Sequence, residues 1–460
     1  MDYEFSSKTP KKCLKGGSTL KKGKVLFLLI LIFSLLVGCN AAPPTSGKKN
    51  EAKSEKLSWN NKKDLKGEEI TLLWVNTDGA NGPRGKILKE FTKDTGIKVK
   101  ELAVDYNSLY NKITTAVLSN SADIDLAEMD TIWAGQFMEG GIAYDLADTV
   151  PKEVQKKYTQ SSLSSVMYKD QLAAVPFFSS TKHFYWNKEL LAKAGYNSPP
   201  KTWDEFREMS KKLTKNGVYG SAWSWKQAEG LNCDFVSLVY GFGGKFFDEK
   251  GAPVFNKGGG LKALQYMVDL TQKDKTVDPA SLQWSEDDVK NAFSTGKIAM
   301  MTNWEGMYPD LNDPSKSKVV DKTDVGLMPG NGDVKSAAVT GSEGISLMKD
   351  SKHKQAALEF LKWMSTKKFQ LPLFKNDGMY PTTEGLYDDP NLKAADKTKT
   401  VDKVMKQFEY GQNRPNAPGY VEWADILSAE IHEALLGKKS AKVALDTAAK
   451  KIKKAIEESK

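Results

Sequence analysis

Residues 67–104 read GEEITLLWVNTDGANGPRGKILKEFTKDTGIKVKELAV, an order of apolar and turn-forming residues that is typical of a strand, a helix and a second strand. The segment 68–76 is mostly apolar and precedes a turn rich in Gly, Asn and Asp, which predicts a buried strand. Pro83 and Gly96 suit the first position of a helix and the residue after its last turn. We therefore expect a helix between them and a strand over 97–104.

The same alternation continues along the chain. Apolar residues spaced three and four apart over 109–118 predict a second helix, and 124–130 predicts a third strand. Strands that alternate with helices predict a mainly parallel, doubly wound sheet, which binds ligands at the carboxyl ends of its strands. The residues at or just beyond such ends are Asp78, Asp130 and Trp133.

A second unit of strands and helices follows. Thr202-Trp-Asp-Glu205 has the pattern of a capping box, which predicts the start of a helix. Further helices are expected over 259–273 and 285–295, a strand over 297–302, and mostly helices from 351 onward. The predicted fold class is α/β with two lobes.

The N-terminus has the features of an export signal. Seven Lys precede a short apolar run over 25–37, which is shorter than the ~20 residues of a membrane-spanning helix. We therefore predict that residues 1–38 are a signal peptide. The sequence Leu36-Val37-Gly38-Cys39 resembles the bacterial lipobox, which implies cleavage before Cys39 and a lipid on its thiol. The alternative is a simple cleaved signal with an incidental cysteine. Residues 39–66 are polar and Lys-rich, which predicts a solvated, lipidated tether.

The distribution of charge argues against a nucleic-acid partner. Residues 1–66 contain fourteen Lys and five acidic residues, which accounts for the whole net charge of +9. The rest of the chain is neutral, whereas a nucleic-acid binder carries its positive charge on the folded domain. After removal of the signal and lipidation of Cys39, the remaining thiol is that of Cys233, so no disulfide within the chain is expected. We expect Cys233 to be a packed, inert thiol.

Sequence signals of an enzyme are sparse. His183, His353 and His432 stand far apart and outside any zinc-binding pattern, and we expect them on surface helices. The nucleophile elbow and the phosphate-binding loop are also missing from the sequence. We therefore predict no catalytic residues, no metal and no cofactor. Composition alone leaves a pair of glycosidase carboxylates open.

Aromatic residues are the more informative feature. The flat C–H faces of a sugar stack on aromatic rings, and its hydroxyl groups need paired donors and acceptors. Each of these aromatic residues could instead pack in the core, and Trp203 inside the capping box is expected to do so. The candidates in predicted loops or at element ends are Trp133, Trp223, Trp225, Trp304, Tyr308, Tyr380, Tyr420 and Trp423.

Several segments, in their order and spacing, carry a family resemblance. They are Ala174-Val-Pro-Phe-Phe178, Tyr185-Trp-Asn-Lys-Glu-Leu-Leu-Ala-Lys-Ala-Gly195, Pro199-Pro-Lys-Thr-Trp-Asp-Glu-Phe206, Phe293-Ser-Thr-Gly-Lys-Ile-Ala-Met300, Asn303-Trp304, and Arg414-Pro415 with Tyr420. With these segments the chain resembles the family 1 extracellular solute-binding proteins, the maltose and multiple-sugar binders of ABC importers. The resemblance covers most of the chain from Gly67 onward.

The resemblance implies a type II periplasmic-binding-protein fold. In this fold two α/β lobes are joined by crossing strands, and the ligand lies in the cleft between them. By analogy, lobe one would comprise 67–178 plus 337–378, and lobe two 179–336 plus 379–460. One hinge is expected near Phe178-Ser-Ser180. Contacts from both lobes to the ligand would favour the closed form, which would dock on the membrane permease.

The resemblance also implies where ligand contacts should lie. Many members have Gly-Gly-Trp where this chain has Gly341-Ser342-Glu343, which suggests hydrogen bonding in place of stacking. Asp78 and Asp130 could instead be turn or N-cap residues, and Arg414 could be an interlobe ion pair. The predicted ligand-binding residues are Asp78, Asn81, Asp130, Trp133, Trp225, Trp304, Tyr308, Glu343 and Arg414.

The predicted function is a lipid-anchored, monomeric receptor on the extracytoplasmic face of the cell membrane. It would bind a carbohydrate, most readily an oligosaccharide, and deliver it to an ABC permease. A receptor for a polyamine or glycerol phosphate is the first alternative, and an anchored glycoside hydrolase is the second. The Lys-rich tether favours a Gram-positive surface.

Overall fold

The computed structural model describes residues 57–76, 78–416 and 419–458. The predicted signal peptide 1–38 and the lipidation site Cys39 lie outside these residues. The strands in the described ranges are β1 (Glu69–Val75), β2 (Lys98–Val104), β3 (Leu126–Asp130), β4 (Met167–Tyr168), β5 (Gln171–Leu172), β6 (Val175–Phe178), β7 (Lys182–Asn187), β8 (Tyr219–Ala222), β9 (Ile298–Trp304), β10 (Thr323–Gly326), β11 (Ala338–Val339), β12 (Glu343–Leu347) and β13 (Gly411–Gln412).

Helices pack around these strands, and among the described residues no helix is both long and apolar enough to span a membrane. The helices are α1 (Pro83–Thr95), α2 (Tyr106–Leu118), α3 (Ala134–Glu139), α4 (Lys152–Gln155), α5 (Gln160–Ser165), α6 (Lys188–Lys193), α7 (Trp203–Leu213), α8 (Glu229–Gly241), α9 (Gly258–Val268), α10 (Glu286–Ser294), α11 (Tyr308–Leu311), α12 (Lys354–Met364), α13 (Lys367–Asp377), α14 (Pro390–Ala395), α15 (Val401–Phe408), α16 (Tyr420–Leu435) and α17 (Ala441–Glu458).

Local sequence signals determine several helix ends. Gly96 ends α1 in the left-handed conformation, with φ of 75°, which a glycine adopts without steric cost. The Thr202 side chain accepts a hydrogen bond from the Glu205 backbone N–H, and the Glu205 carboxylate accepts one from the Thr202 backbone N–H, which confirms the predicted capping box at α7. Replacing such a cap costs about 1 kcal/mol. The predicted helix over 259–273 is α9 followed by one turn of π-helix over Asp269–Lys273.

The first lobe is built on a five-stranded sheet in the order β2-β1-β3-β12-β6. β1 is parallel to β2 and β3, whereas β12 is antiparallel to both of its neighbours. The second lobe has a four-stranded sheet in the order β10-β7-β9-β8, in which the β8–β9 pair alone is parallel. The expectation of a mainly parallel sheet is therefore wrong, because strands that return from distant parts of the chain enter both sheets antiparallel.

The chain crosses between the two sheets over residues 179–181, which join β6 of the first sheet to β7 of the second. Thr181 pairs with Thr340, which precedes β12, and Ser179 pairs with Tyr380. The Ser180 carbonyl accepts hydrogen bonds from the Thr340 hydroxyl at 2.8 Å and from Gly341 N at 2.9 Å. Two crossing segments are thus hydrogen-bonded side by side. The strands of each sheet fall within the residues predicted for that lobe, and the exact lobe boundaries stay a prediction.

Residues 57–66 differ from the predicted solvated tether over 39–66. Trp59 is 7% exposed and belongs to the main hydrophobic core. Ser58 exchanges two hydrogen bonds with the Gln355 side chain, at 3.0 Å and 2.9 Å. The low apolar content of this stretch led to the prediction of a tether, but burial of its single Trp attaches the segment to the folded domain.

Two groups outside the predicted site have informative surroundings. The prediction of a surface helix is wrong for His183, which is buried on β7 with Nδ1 2.9 Å from the Thr181 carbonyl oxygen. Burial lowers the pKa of His183 to about 4. Cys233 is buried on α8, and burial raises the pKa of its thiol, which confirms a packed, inert cysteine.

Candidate functional site

Asp130 is the last residue of β3 and lies at the carboxyl end of that strand. Its side chain is nearly fully buried and accepts a hydrogen bond from the Ile132 backbone N–H at 3.4 Å, so it caps the short 3-10 helix that follows. It also accepts hydrogen bonds from the Tyr106 hydroxyl and from Arg414 Nη2, both at 2.6 Å. Asp130 is therefore both the capping residue of the alternative interpretation and the centre of a polar cluster.

Arg414 connects Asp130 to the second lobe. Its Nη1 donates to Glu229 Oε1 at 3.0 Å, at the first residue of α8. The Tyr420 hydroxyl donates to the same carboxylate at 2.6 Å. Burial lowers the pKa of Arg414, but the carboxylates of Asp130 and Glu229 outweigh it and hold that pKa well above its ordinary value. The geometry is that of the interlobe ion pair expected as the alternative role of Arg414.

Glu343 lies beside this cluster because it pairs directly with Asp130 in the β12–β3 ladder. It alone on β12 is partly exposed. Burial and the negative charges of Glu128 and Asp130 raise the pKa of Glu343 well above its usual range. Burial raises the pKa of Glu128 as well, so that the protonated form is favoured in this pair of interacting carboxyl groups. Glu128 is further held by Val75 N at 2.6 Å.

Two aromatic side chains near this cluster keep exposed surface. The Tyr106 side chain is 37% exposed, and its ring stacks on Trp133 at a centroid distance of 6.1 Å. Trp304 ends β9, is half-buried, and has the Lys182 ammonium 5.5 Å from its ring centroid. A Cβ added at Gly341 would lie 2.7 Å from the Trp304 ring, so the glycine leaves room for that ring against the crossing strand.

The remaining predicted residues are not part of the polar cluster. Trp133 is buried beneath Tyr106 and packs on Phe137. Trp225 is buried and stacks on Trp223 at 5.0 Å, and Tyr308 is buried with its hydroxyl donating to the Thr323 carbonyl at 3.2 Å. These three rings contribute to core packing in the structure.

Asp78 and Asn81 lie on the exposed loop after β1. Asp78 is the N-cap residue of a short 3-10 helix, although its side chain makes no capping hydrogen bond. The Asn81 side chain accepts a hydrogen bond from Lys89 Nζ at 3.4 Å. The described contacts of both residues are local, and the structure does not bring them against Arg414.

Sequence reasoning missed four polar or aromatic residues of the site. Tyr106 lies two residues after the end of β2, so the strand-end rule that selected Asp130 could have found it. Glu128, Glu229 and Lys182 carried no comparable signal, because their partners lie far away in the sequence. In the described ranges no three His, Cys, Asp or Glu side chains are grouped in a way that could hold a metal ion.

Comparisons with known proteins agree with this architecture. A "Probable amino-acid ABC transporter periplasmic-binding protein y4oP" of Sinorhizobium fredii is 28% identical over 314 residues, which is 66% of this chain and 70% of that protein. The structure of maltose-bound MalE3 of T. maritima is 28% identical and superposes with a TM-score of 0.74, covering 84% of this chain and 99% of that one.

A solute-binding protein of an ABC transporter from Agrobacterium radiobacter, in complex with ribitol, is also 28% identical with a TM-score of 0.73, covering 85% of this chain and 100% of that one. Such likeness extends over both lobes and establishes the type II periplasmic-binding-protein fold, in which the cleft between the lobes holds the ligand. The family described as bacterial extracellular solute-binding protein matches residues 76–371, well over half of the sequence. The chain belongs to the bacterial extracellular solute-binding proteins.

Proposed function

We propose that this protein is the extracytoplasmic substrate-binding component of an ABC importer, and that it binds a carbohydrate, most readily an oligosaccharide, between its two lobes. The observation that carries the proposal is the buried bridge from Asp130 through Arg414 to Glu229, which connects a strand end of the first sheet to a helix of the second lobe. Paired carboxylates and a guanidinium group are the donors and acceptors that vicinal hydroxyl groups need.

Exposed aromatic surface on Tyr106, which donates to Asp130, and on Trp304 at the end of β9 supports a sugar ligand. Tyr106 and Trp304 each present part of a ring, and such surfaces stack on the C–H faces of a pyranose. Relatives whose names state a ligand support a sugar or polyol, since the T. maritima protein was solved with maltose and the A. radiobacter protein with ribitol.

Mechanism follows from the position of the bridge. A ligand that contacts Asp130 on one side and Glu229 on the other makes its full set of contacts only in the closed form. Its binding therefore shifts the population towards closure, by as much as its affinities for the two forms differ. The closed, loaded form would then be the one that the permease recognises.

Titration of the full chain in detergent with mono- and oligosaccharides, followed by Trp fluorescence and by product analysis, tests the proposal. Saturable binding of one sugar class without turnover supports it. Turnover would instead establish the glycoside hydrolase alternative. Binding of only spermidine or glycerol phosphate would establish the first alternative.

We also propose that Cys39 anchors the protein to the membrane by a thioether-linked lipid. The argument is the lipobox pattern Leu36-Val37-Gly38-Cys39, and two or more acyl chains are enough for stable anchoring. Expressed in a bacterial host with radioactive palmitate, the wild-type chain should incorporate label and sediment with membranes. The Cys39→Ala variant should do neither, with Cys233→Ala as the matched control. Labelling that persists in Cys39→Ala would contradict the anchor.

A further inference from the structure

Three carboxyl groups lie together on one face of the first sheet. Glu128 and Asp130 are two residues apart on β3, so their side chains emerge on the same face. Glu343 on the neighbouring strand β12 pairs with Asp130 in the ladder. Because Glu128 and Asp130 share one face of β3 and Glu343 lies opposite Asp130 on β12, the three carboxyl groups interact electrostatically.

The positive charge in this region does not balance the three carboxyl groups, because each of the two nearby guanidinium groups also pairs with another carboxylate. Arg84 lies 3.7 Å from Glu128 and makes a shorter ion pair, at 2.9 Å, with Asp377. Arg414 is divided between Asp130 and Glu229. Glu343 is left without an ion-pair partner among the described residues. The chain from Gly67 onward is neutral as a whole, so the negative excess is local.

Polar atoms without a partner mark the same place. Glu343 Oε2 has no hydrogen-bond partner in the structure, nor has Oγ1 of the fully buried Thr131, the neighbour of Asp130. Nε of Arg414, a residue that is 4% exposed, is also without an acceptor. Buried polar atoms of this kind are costly unless a bound molecule completes their hydrogen bonds. The site thus offers a bound molecule an unused donor at Arg414 Nε and an unused oxygen at Glu343 Oε2.

We propose that the ligand is an amino sugar whose protonated amine lies against Glu343, while its hydroxyl groups pair with Arg414 and Asp130. This inference rests on the proposed function and specifies its substrate class. An ammonium group offers three donors and one positive charge, which matches the unpaired carboxyl group. A polyamine would supply the charge but no hydroxyl oxygen for Arg414, so the sugar scaffold is favoured.

Binding of such a ligand has a consequence for protons. In the unliganded site repulsion from Glu128 and Asp130 favours protonation of Glu343, while Arg84 and Arg414 act in the opposite sense and Tyr106 donates to Asp130. An ammonium group that takes this place makes the proton unnecessary. Binding of the amine should therefore release protons from the site, and binding of a neutral sugar should not.

Matched pairs of sugars that differ only in an amine or a hydroxyl group at C2 of each ring test the inference on the full chain. The pairs are glucosamine with glucose, galactosamine with galactose, and fully deacetylated chitobiose with cellobiose, and spermidine is added as a sugar-free amine. Calorimetry at pH 6 should give at least ten-fold tighter binding of the amine in one or more pairs. In Glu343→Gln, which keeps the shape of the neutral carboxyl group, that preference should fall below three-fold. Glu90→Gln, an exposed residue on α1, is the matched control and should keep it.

The outcomes separate this inference from the proposed function. Neutral sugars that bind as tightly as their amines in every pair would overturn the amine and leave the sugar receptor intact. Spermidine as the sole ligand would overturn the sugar scaffold. Failure of every sugar and of spermidine would overturn both. Titrations at pH 6 in phosphate and in MES provide a second readout, because these buffers differ in their heat of ionisation and equal heats for the bound amine would contradict proton release.

Discussion

Arg414 Nη2 donates to Asp130 Oδ1 at 2.6 Å, across 284 positions of the sequence, and both side chains are almost completely buried. Asp130 ends a strand of the first sheet, and the second guanidinium nitrogen of Arg414 binds Glu229 at the start of a helix in the second lobe. A single guanidinium group thus holds together the two halves of the cleft. Its planar geometry is what permits this, since it binds two carboxylates in fixed directions.

Removal of the Arg414 guanidinium should destabilise the fold. In Arg414→Ala, Asp130 and Glu229 stay buried without a counter-ion, and loss of one partner of a buried pair costs about 3–5 kcal/mol. Urea denaturation at pH 7 measures the free energy of unfolding. Arg207→Ala is the matched control, because Arg207 pairs with Asp269 and Asp274 and is more exposed than Arg414, so its loss should cost less. Equal losses in the two variants would contradict a special role for the interlobe bridge.

Trp304 should contribute to ligand affinity more than to stability. Trp304 is the last residue of β9, and its ring is half-buried. Truncation of an aromatic residue at the centre of a binding site costs about 2 kcal/mol or more of binding free energy, roughly a thirty-fold loss of affinity. Trp304→Ala should therefore weaken sugar binding by that order. Trp186→Ala, which removes a half-buried Trp stacked on Phe184 at 5.9 Å, is the control and should lower stability with little change in affinity.

Gly341→Ala tests the same ring from the other side. The new methyl group would meet the Trp304 ring and displace it, so affinity should fall while the crossing strand keeps its hydrogen bonds. Unchanged affinity in both Trp304→Ala and Gly341→Ala would show that the ligand does not use this ring.

How much of this arrangement the sequence predicts depends on the distance between interacting residues. The alternation from 68 to 130 gives β1, α1, β2, α2 and β3 to within two or three residues at each end, because turn and cap signals are local. The position of β12 between β3 and β6 depends on pairing with strands far earlier in the chain, and no local signal encodes it. The antiparallel register that sets Glu343 against Asp130 was unpredictable for the same reason.

Residue type also limits what could be predicted of the site. Trp225 and Trp304 look alike in the sequence, yet one is buried against Trp223 and the other ends a strand with part of its ring exposed. Burial of an aromatic residue depends on which element covers it, and that is decided by tertiary packing. Arg414 and Asp130 were selected individually, whereas Glu229, which completes their bridge, was not.

Glu305 should make stability depend on pH at the crossing between the lobes. Its buried carboxylate accepts hydrogen bonds from the Ser180 hydroxyl and the Thr181 backbone N–H, both at 3.1 Å, and burial raises its pKa from 4.5 to about 7. The pKa of Glu305 is higher in the folded chain than in the unfolded one, so the free energy of unfolding falls as the pH rises from 4.5 to 7. Above pH 7 it stays at that lower value. The shift corresponds to about 3 kcal/mol.

Glu305→Gln should therefore be more stable than the wild type by up to about 3 kcal/mol at pH 8 and equally stable near pH 4.5. Urea denaturation at several pH values measures the difference. Glu69→Gln at the exposed start of β1 is the control, for which no such difference is expected. A difference that does not change with pH would contradict the raised pKa of Glu305.

His183 should have the opposite effect on the pH dependence. Both ring nitrogens face carbonyl oxygens, Nδ1 that of Thr181 at 2.9 Å and Nε2 that of Val404 at 3.3 Å, and these contacts favour the charged ring. Burial outweighs them and lowers the pKa of His183 from 6.5 to about 4. The unfolded chain therefore binds a proton that the folded chain rejects between these values, and stability is lost as pH falls from 6.5 towards 4.

His183→Gln removes this titration. The variant should be less stable than the wild type at pH 8, because a buried ring is lost, but the deficit should shrink by about 3 kcal/mol on acidification from pH 6.5 to pH 4. Urea denaturation across that range gives the deficit directly, and His353→Gln, which changes a half-exposed ring, should show no such trend. A constant deficit for His183→Gln would mean that the buried ring accepts its proton without loss of the fold, with the Thr181 and Val404 carbonyls stabilising the charge.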